Sequence, residues 1–496
     1  MLRALEKLVR IGFLTPRGLW GFARAVRAQG PGPMALLAYA ARRHPDRMAI
    51  RDDREAVTYG QLHASCQNLA HSLEHLEAGA KVALLGSNQI AMVQALLALS
   101  KLGVDAYLLN VEMAPAQLVA LLESRPFDLV WCDLELKTRL EAAGCKVALA
   151  DLPPLCQAGL TSARKGNGRI AVMTGGTSGK AKSSSRKPSI AKLVRPFCGL
   201  LEGLNLEECK SVYIATAFYH GYGLAFLFVA FLMGSQVHIA KKFKAEEAVA
   251  RIREHGVEAL VVVPLMLQRM LGEGLGSLKC IVAGGARLDA ALVRQVQQNL
   301  SARLHNLYGS TEAGFSILAT PEDLARRPEA LGRAIPGVKI QIQTPGGQVV
   351  PAGERGVICV RSPWSVAGDS VWVSTGDLGA MDADGYVVLL GRADDMIVSG
   401  GENVFPDDVQ IVLARHPAIE AVVVLGVPDA EFGQRLCAFV VLNAGQPVDE
   451  LELQEWSRSR LARFQMPRFR FVAEIPTTAT GKVDRARLLA GLDKAQ

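Results

Sequence analysis

The alternation of apolar and polar positions between residues 36 and 160 predicts a parallel α/β arrangement. Helical periodicity near 60–76 is followed by an apolar strand at Lys81–Leu85, a helix at 90–102 and a strand at 104–109. Strands that alternate with helices form sheets that helices cover on both faces. We therefore expect a largely parallel sheet in this part of the chain.

The middle of the chain contains one apolar stretch, residues 214–233, that is long enough to cross a bilayer in principle. Its centre is interrupted by the run Tyr-His-Gly-Tyr-Gly at 219–223, which is polar and weakens a helix. We therefore predict a strand at 211–215, a loop at His220 and a buried helix at 224–233 instead of a membrane span.

The later segments predict further buried strands and then a change of character. Apolar runs at 259–263 and 279–282 predict two strands, and from Val338 onward short strands alternate with glycine turns. After Arg392 the pattern restarts as a small α+β unit. The predicted fold class is α/β, with a large N-terminal domain of layered α/β subdomains, a β-rich subdomain and a small mobile α+β C-terminal domain.

Composition excludes several classes of function. Half of the 496 residues are apolar and 21% are charged, as in globular proteins with substantial cores. The net charge of +7 is dispersed and lacks aromatic–basic interleaving, so we expect no nucleic-acid partner. The nine cysteines contain no C-x-x-C pair and no secretory signal precedes them, which predicts a reducing, cytoplasmic location.

The N-terminal segment, residues 1–35, is basic and has two interpretations. Its first 30 residues contain six basic side chains against one acid, Glu6, with Phe13, Trp20 and Phe22 among them. Such a segment could lie on an anionic membrane as an amphipathic helix, giving peripheral contact with its inner face. It could equally be a surface helix that packs on the first domain.

A loop rich in glycine, hydroxyl groups and lysine follows the apolar run at 170–173. Its sequence from Thr174 to Lys182 is Thr-Gly-Gly-Thr-Ser-Gly-Lys-Ala-Lys. Glycines allow backbone N–H groups to surround an anion, while hydroxyls and lysines add hydrogen bonds and positive charge. The loop therefore suits a polyphosphate. It is not a Walker A loop, which would need Gly at Thr174 and Ser or Thr at Ala181.

Five motifs occur in register along the chain and together carry a family resemblance. They are the loop at 174–182, Tyr-Gly-Ser-Thr-Glu-Ala-Gly at 308–314, Ser-Thr-Gly-Asp at 374–377, the Gly-Arg-Ala-Asp-Asp run at 391–406, and Pro-Thr-Thr-Ala-Thr-Gly-Lys at 476–482. This set resembles the adenylate-forming superfamily of acyl-CoA synthetases, luciferases and peptide-synthetase adenylation domains. The likeness covers about residues 36–490 and looks nearest to fatty-acyl-CoA synthetases.

The resemblance implies ATP, Mg²⁺ and coenzyme A as cofactors and assigns roles to individual residues. Glu312 would bind the metal, and Asp377 and Arg392 would hold the ribose. Thr311, Glu312 and Lys482 are implied as catalytic, with Lys482 between the attacking carboxylate and the nucleotide. The implied nucleotide- and CoA-binding residues are Thr174, Gly176, Thr177, Ser178, Gly179, Lys182, Gly284, Gly285, Ala286, Asn306, Tyr308, Gly309, Ser310, Thr311, Asp377, Arg392, Gly400, Gly401 and Glu402.

The same resemblance divides the chain into an AMP-binding N-terminal domain at 36–392 and a mobile C-terminal domain at 393–496. Asp394 stands at the position of the family's hinge, about which the small domain would rotate between adenylation and thioester formation. Two departures fall in the phosphate loop: Gly175 replaces a hydroxyl residue and Ala181 replaces a proline. They could weaken ATP binding, but they remove no charge that the mechanism needs.

The acid substrate is indicated by the segment around residues Tyr219, His220 and Gly221, which with Gly285 would line the acyl pocket. Amino-acid-activating relatives place an aspartate in this segment, whereas here no acid is present and the expected apolar walls are Phe218, Tyr219, Tyr222, Leu224, Phe226 and Phe228. Because an apolar pocket rejects an ammonium group, we do not expect an amino acid as substrate. The Phe-Tyr-His-Gly-Tyr-Gly pattern at 218–223 resembles fatty-acyl or aryl-acyl CoA synthetases, and the segments 184–189 and 261–268 resemble fatty-acyl members, which implies a medium- or long-chain fatty acid. His220 could gate this pocket or be a structural, half-buried histidine.

The predicted function is therefore a fatty acid–CoA ligase that forms an acyl-AMP intermediate and releases AMP and pyrophosphate. Three alternatives remain open from the sequence. The enzyme could activate an aryl acid, it could load a carrier-protein thiol instead of CoA, or the chain could be a catalytically weak binding member of the family.

Overall fold

The computed structural model describes the chain except for residues 1, 114, 155–158, 175–181, 186–189, 273, 396, 400–401, 430–432, 447, 479–482 and 493–496. Side chains at 2–4, 173–174, 182–185, 190–194, 394, 398–399, 402–403 and 433 also lie outside this description. Internal packing divides the chain into two compact units. One comprises residues 1–339 and 361–371, and the other comprises 340–360 and 372–496.

The first unit contains two sheets with helices between their strands, in line with the predicted α/β class. Its helices are α1 (Leu2–Arg10), α2 (Pro16–Gln29), α3 (Pro33–Arg43), α4 (Tyr59–Ser72), α5 (Ile90–Leu102), α6 (Pro115–Glu123), α7 (Leu134–Ala142), α8 (Ile190–Leu204), α9 (Tyr222–Met233), α10 (Ala245–His255), α11 (Pro264–Met270), α12 (Ala290–Asn299) and α13 (Pro321–Arg326). Its strands are β1 (Met48–Arg51), β2 (Ala56–Thr58), β3 (Lys81–Leu85), β4 (Asp105–Leu108), β5 (Leu129–Cys132), β6 (Ala150–Asp151), β7 (Ile170–Thr174), β8 (Lys182–Ser185), β9 (Ser211–Ile214), β10 (Gln236–His238), β11 (Ala259–Val262), β12 (Cys280–Gly284), β13 (Arg303–Ser310), β14 (Gly314–Ala319) and β15 (Ala330–Ala334).

The two sheets of this unit are mainly parallel. The smaller has the strand order β6-β5-β3-β4-β7-β8 and is parallel apart from the final β7–β8 pair. In the larger, β1, β10, β9, β11, β12 and β13 are parallel neighbours, while β2, β14 and β15 are antiparallel. Strands β9, β11 and β12 are buried along their whole length, as expected for a sheet covered by helices.

The predictions for the middle of the chain are confirmed. Residues 211–214 form β9, Phe218–His220 form a short 3₁₀ turn, and the apolar residues that follow form α9. None of the described helices combines the length and the apolar composition needed to cross a bilayer.

The N-terminal helices α1 and α2 pack against other helices of the first unit. Lys7 in α1 lies 3.1 Å from the buried carboxylate of Glu207, and Leu8 packs against α8. Phe13, just before α2, and Phe22, within α2, both contact Tyr39 of α3. Their rings lie edge-on to the Tyr39 ring, and each ring centroid is 5.8 Å from that of Tyr39. The alternative in which this segment packs on the first domain is therefore what the structure shows.

The second unit contains two further sheets. Its strands are β16 (Lys339–Gln343), β17 (Gly356–Arg361), β18 (Val373–Met381), β19 (Val387–Arg392), β20 (Ile397–Ser399), β21 (Glu402–Val404), β22 (Ile419–Asp429), β23 (Gly433–Leu442) and β24 (Arg468–Phe471). Its helices are α14 (Pro406–Leu413), α15 (Glu450–Arg458) and α16 (Arg485–Ala490). The β-rich part has the order β16-β17-β18-β19, and the other sheet has the order β21-β20-β23-β22, with β24 pairing β23.

The two sheets of the second unit are joined through α14. Its first turn carries Asp408, whose carboxylate lies 2.7 Å from Arg355, and the Arg355 guanidinium also stacks on Phe405. These contacts place residues 340–360 and 372–392 in one compact unit with the C-terminal residues. The predicted class, a large N-terminal and a small C-terminal α/β domain, is confirmed. The boundaries at residues 35 and 392 and the hinge at Asp394 stay predictions.

Candidate functional site

The turn that carries the predicted acid-binding residues lies between β9 and α9. Phe218 and Tyr219 are buried, and the Tyr219 and His220 rings lie 4.7 Å apart. Gly221 has φ +73°, a left-handed conformation that favours glycine, and it ends the turn so that α9 can start. Burial raises the pKa of Tyr219 well above its usual value, so its phenol is neutral at physiological pH.

The strand that leads into the predicted phosphate loop lies beside this turn. β7 is the apolar run predicted from the sequence, and it pairs antiparallel with β8 so that Thr174 lies opposite Lys182. A Cβ atom at Gly221 would be 3.6 Å from the side chain of Val172 in β7. The ends of the loop that connects β7 and β8 are therefore fixed next to the Tyr219–His220 turn.

The end of β12 approaches the same turn from another side. Tyr222, the first residue of α9, donates a hydrogen bond from its hydroxyl to the carbonyl of Val282, 3.0 Å away. A Cβ at Gly284 would lie 2.5 Å from the carbonyl oxygen of Leu307 and 3.1 Å from the Tyr222 ring. Only a residue without a side chain fits this position without displacement, and the exposed Gly285 follows it with φ +78°.

This packing predicts that Gly284→Ala destabilises the first unit. The added methyl group would overlap a backbone oxygen and a fixed aromatic ring, so we expect a loss of about 1–3 kcal/mol in the free energy of unfolding. Gly276→Ala is the matched control, because Gly276 is exposed and a Cβ there would have no atom within 4 Å. Denaturant titration of both variants measures the difference, and equal losses would contradict the packing argument.

The hairpin between β13 and β14 carries the predicted metal and nucleotide residues. Ser310 accepts a hydrogen bond at its side-chain oxygen from the Ala313 N–H, 3.1 Å away, which closes the turn around Thr311 and Glu312. The backbone carbonyl of Glu312 accepts a hydrogen bond from Val366, 2.9 Å away, while its side chain is exposed. An exposed carboxylate on a fixed turn is suited to bind Mg²⁺.

The remaining predicted residues of this hairpin lie on β13. Asn306 is buried, and its side-chain amide donates to the carbonyl of Ala330 at 3.4 Å. Tyr308 is half-buried, and Gly309 is exposed where the β13–β14 pairing shifts register. At Gly309 a Cβ would lie 2.6 Å from the carbonyl oxygen of Gly314, so the close approach of the two strands requires glycine.

Four aromatic side chains, Tyr222, Phe226, Phe315 and Trp364, form what we call the aromatic cluster. Phe315 lies 6.0 Å from Tyr222, 6.2 Å from Phe226 and 5.9 Å from Trp364, measured between ring centroids. The cluster connects α9 to the strand that follows Glu312, and its contacts are mainly edge-to-face. It gives this part of the first unit an apolar, uncharged wall.

Sequence reasoning identified Tyr222 and Phe226 as apolar wall residues but missed Phe315 and Trp364. The signal for Phe315 was its position directly after the Tyr-Gly-Ser-Thr-Glu-Ala-Gly motif. Trp364 lies about 50 residues after that motif, so no local pattern indicated its contact with Phe315.

In the second unit, Asp377 and Arg392 lie directly opposite each other on β18 and β19. The Arg392 guanidinium is 3.1 Å from the Asp377 carboxylate and also donates to the carbonyl of Thr375 at 3.4 Å. Gly376 has φ +76°, and a Cβ there would lie 2.9 Å from the guanidinium. The two residues predicted to bind ribose are thus brought together, with the Asp377 side chain 15% exposed.

The base of the loop predicted to carry the catalytic lysine is also part of the second unit. Thr477 pairs with Val483 in an antiparallel bridge, which closes this loop. Arg485, just after the loop, makes a bidentate contact of 2.6 Å with Asp395 in the 3₁₀ turn Ala393–Asp395. The 3₁₀ turn that contains the predicted hinge is therefore joined by an ion pair to the helix that follows the predicted catalytic loop.

Several predicted site residues lie outside the described part of the chain. These are Gly176, Thr177, Ser178, Gly179, Gly400, Gly401 and Lys482. For Thr174, Lys182, Asp394 and Glu402 the backbone is described and the side chain is not.

Comparison with known proteins identifies the family. A model of AMP-binding enzymes matches residues 37–368, and a model of the AMP-binding enzyme C-terminal domain matches residues 408–482. The chain belongs to the AMP-binding enzyme family. The predicted membership of the adenylate-forming superfamily is thereby confirmed, and residues 1–36 lie outside the family match.

Individual members of the AMP-binding enzyme family align over nearly the whole chain. A 2-succinylbenzoate–CoA ligase from Bacillus licheniformis is 30% identical over 470 residues, covering 90% of this chain and 97% of the relative. A fatty acid–[acyl-carrier-protein] ligase from Streptomyces coeruleorubidus is 28% identical and covers 91% and 94%. The Bacillus subtilis o-succinylbenzoate CoA synthetase, solved with ATP and magnesium, has a TM-score of 0.75 at 26% identity and covers 92% and 99%.

Proposed function

We propose that this AMP-binding enzyme is an ATP-dependent acyl-CoA synthetase that activates a fatty acid of medium or long chain. The single observation that carries the proposal is the convergence of four segments in the first unit. The strand into the predicted phosphate loop approaches the Tyr219–His220 turn at Gly221, while the Gly284–Gly285 bend and the hairpin before Phe315 approach the next residue, Tyr222. This arrangement supports the proposal, because segments predicted to bind nucleotide lie next to an apolar wall.

The chemistry consists of two substitutions. An oxygen of the acid's carboxylate attacks the α-phosphorus of ATP, a P–O bond forms, and pyrophosphate leaves with the electron pair of the broken P–O bond. The thiolate sulfur of CoA then attacks the acyl carbon, and AMP leaves with the carboxylate oxygen. Each step brings anions together, so the protein must neutralise charge and fix the approach of the reacting groups.

The residues of this chain would divide that work. Glu312 would hold Mg²⁺, which neutralises phosphate charge when it is bound. Within the described residues no three side chains of His, Cys, Asp or Glu cluster as a metal site. Magnesium commonly keeps phosphate and water oxygens among its ligands, so a single protein carboxylate such as that of Glu312 would be enough to hold it. Asp377, kept in place by Arg392, would accept hydrogen bonds from ribose, and Lys482 would contact the reacting oxygens.

The acid we propose has an uncharged, apolar tail. The aromatic cluster offers no charged group to a substrate, and burial keeps the Tyr222 phenol neutral by raising its pKa far above the usual value. A substrate ammonium group would lose its hydration beside these rings without gaining a partner. The carboxylate end would lie toward Tyr219, His220, Gly221 and Gly285.

An aryl acid is the second candidate substrate. It is favoured by the ring edges of the aromatic cluster, which suit another flat ring, and by the likeness to 2-succinylbenzoate–CoA ligase. A carrier-protein thiol is the alternative acceptor, supported by the likeness to a fatty acid–[acyl-carrier-protein] ligase.

The proposed substrate and acceptor are tested by measuring the exchange of labelled pyrophosphate into ATP in the presence of one acid at a time. Fatty acids of increasing length, aryl acids and amino acids form the panel, and thioester formation is then followed with CoA or with a carrier protein. We expect exchange with fatty acids and thioester only with CoA. Exchange restricted to aryl acids would select the second candidate, and no exchange with any acid would defeat the ligase proposal.

We also propose a cytoplasmic enzyme that contacts membranes peripherally through α2. One face of this helix carries only exposed positions, among them Leu19, Trp20, Arg17, Arg24 and Arg27. Trp20 is 63% exposed and Leu19 is 47% exposed, and the Arg24 guanidinium stacks on the indole. A helix with exposed tryptophan, leucine and arginine and no acidic residue matches an anionic lipid surface.

Replacing Leu19 and Trp20 together with glutamate tests this contact. We expect co-sedimentation with phosphatidylglycerol-containing vesicles to fall at least fivefold, because both apolar area and charge complementarity are lost. Leu134→Glu is the matched control, since Leu134 is 71% exposed on another helix, α7. Equal pelleting of both variants and the unchanged protein would rule the contact out.

A further inference from the structure

The loop between β3 and α5 is held rigidly from both sides. The N–H of Ser87 donates to the carboxylate of Asp133 at 3.0 Å, and Gln89 donates from its side chain to the same carboxylate. The N–H of Ile90, at the start of α5, donates to the buried carboxylate of Asp52 at 2.9 Å. Asn88, between these anchors, therefore has little freedom to move.

The buried side chain of Asn88 connects this loop to the other sheet of the first unit. Its Nδ2 donates to the carbonyl of Thr216 at 2.9 Å, and its Oδ1 accepts from the N–H of Phe218 at 2.9 Å. Asn88 is 5% exposed. One amide thus provides both a donor and an acceptor to the backbone that enters the Tyr219–His220 turn.

The neighbouring backbone groups of that segment are bonded elsewhere. The N–H of Ala215 donates to Val261 at 2.9 Å, which continues the β9–β11 ladder, and the N–H of Gly221 donates to Phe218 at 3.1 Å. Helix α9 also packs closely here, because a Cβ at Gly223 would lie 2.5 Å from the Thr216 carbonyl oxygen. Between the β9–β11 ladder and the turn, the backbone is therefore held by the hydrogen bonds of Asn88 and by close packing against α9.

We propose that Asn88 is a positioning residue for acid activation. It acts through the backbone of Thr216 and Phe218 to place Tyr219 and His220 at the acid substrate, and it contacts neither the acid nor ATP. This inference rests on the proposed function, because it assigns the turn to the acid. A buried side chain anchored on a rigid loop is well suited to fix the geometry of a substrate-binding turn.

Steady-state kinetics of Asn88→Ala test the assignment. We expect the KM for the acid to rise at least tenfold and kcat to fall about tenfold, because small displacements of positioning groups are costly to the rate. The KM for ATP should stay within about twofold, since the nucleotide motifs keep their own anchors. A change in both KM values by the same factor, or no change in the KM for the acid, would overturn the proposal.

Gln94→Ala is the matched control for a purely structural effect. Gln94 is a buried amide on α5 that donates to the carbonyl of Pro154 at 3.2 Å. We expect it to lower the melting temperature without raising the KM for the acid. If the acid KM rises equally in both variants, Asn88 has only a structural role.

Asn88→Asp supplies a second readout that does not depend on the alanine variant folding. A neutral carboxyl group can donate one hydrogen bond and accept another, as the Asn88 amide does here, whereas a carboxylate cannot donate to the Thr216 carbonyl. The activity of this variant relative to the unchanged protein should therefore rise as the pH falls, and burial raises the pKa at which it does so. A ratio independent of pH would contradict the proposal. Failure of the unchanged protein with every acid would instead refute the proposed function.

Discussion

Replacing Lys482 with alanine is expected to lower pyrophosphate exchange by about 10³-fold, the scale found when one preorganised charge-stabilising group is removed. The ammonium group would lie where negative charge moves between the carboxylate and the α-phosphate. The loop that carries it is closed by the Thr477–Val483 bridge and followed by the Arg485–Asp395 ion pair. Loss of this side chain should therefore leave the surrounding structure unchanged.

Arg487→Ala is the matched control for Lys482→Ala, because Arg487 is an exposed cation on α16 nearby in the sequence. We expect its exchange rate to stay within about twofold of the unchanged protein, and both variants to melt at the same temperature. Full exchange activity in Lys482→Ala would show that Lys482 takes no part in the adenylation step. Absence of exchange in the unchanged protein as well would support the alternative of a catalytically weak binding member of the family.

Replacing Asp377 with alanine should raise the KM for ATP by roughly 100-fold or more. Two hydrogen bonds from ribose hydroxyls to a carboxylate would be lost, at about 1.5–3 kcal/mol each. The Arg392 guanidinium, 3.1 Å from this carboxylate, would also lose its partner. The KM for the acid should change little, because the acid does not contact the ribose.

Arg355→Ala provides the comparison for a structural ion pair in the same unit. Arg355 lies 2.7 Å from Asp408 and stacks on Phe405. We expect this variant to lose stability and keep its KM for ATP. If Asp377→Ala behaves in the same way, Asp377 stabilises the β18–β19 pair without contacting the nucleotide.

The sequence was sufficient to predict the elements whose signal is local. The apolar run at 170–173 is β7, and the interrupted apolar stretch at 214–233 resolves into the 3₁₀ turn and α9. The spacing of apolar residues and the polar residues that interrupt an apolar run are both features of a short stretch of sequence, so they can be recognised without the structure. The motifs were equally informative, because five of them in register identified the family.

Contacts between residues far apart in the sequence could not be predicted in this way. Asn88 reaches Thr216 and Phe218 from a loop on the other sheet, and no local pattern distinguishes it from an ordinary loop asparagine. Trp364 joins the aromatic cluster because residues 361–371 return to the first unit after 340–360 have joined the second. Neither the composition of these segments nor the spacing of their apolar residues indicates that the chain passes from one unit to the other and back.

Whether the proposed fatty acid is activated as an acyl-adenylate can be decided by following its carboxylate oxygen. The acid is labelled in its carboxylate with a heavy oxygen isotope and converted to the CoA thioester with ATP and magnesium, and the products are analysed by mass spectrometry. The proposed route predicts one labelled oxygen in AMP and none in pyrophosphate. Label in a phosphate product other than AMP, or thioester formation without labelled AMP, would contradict it.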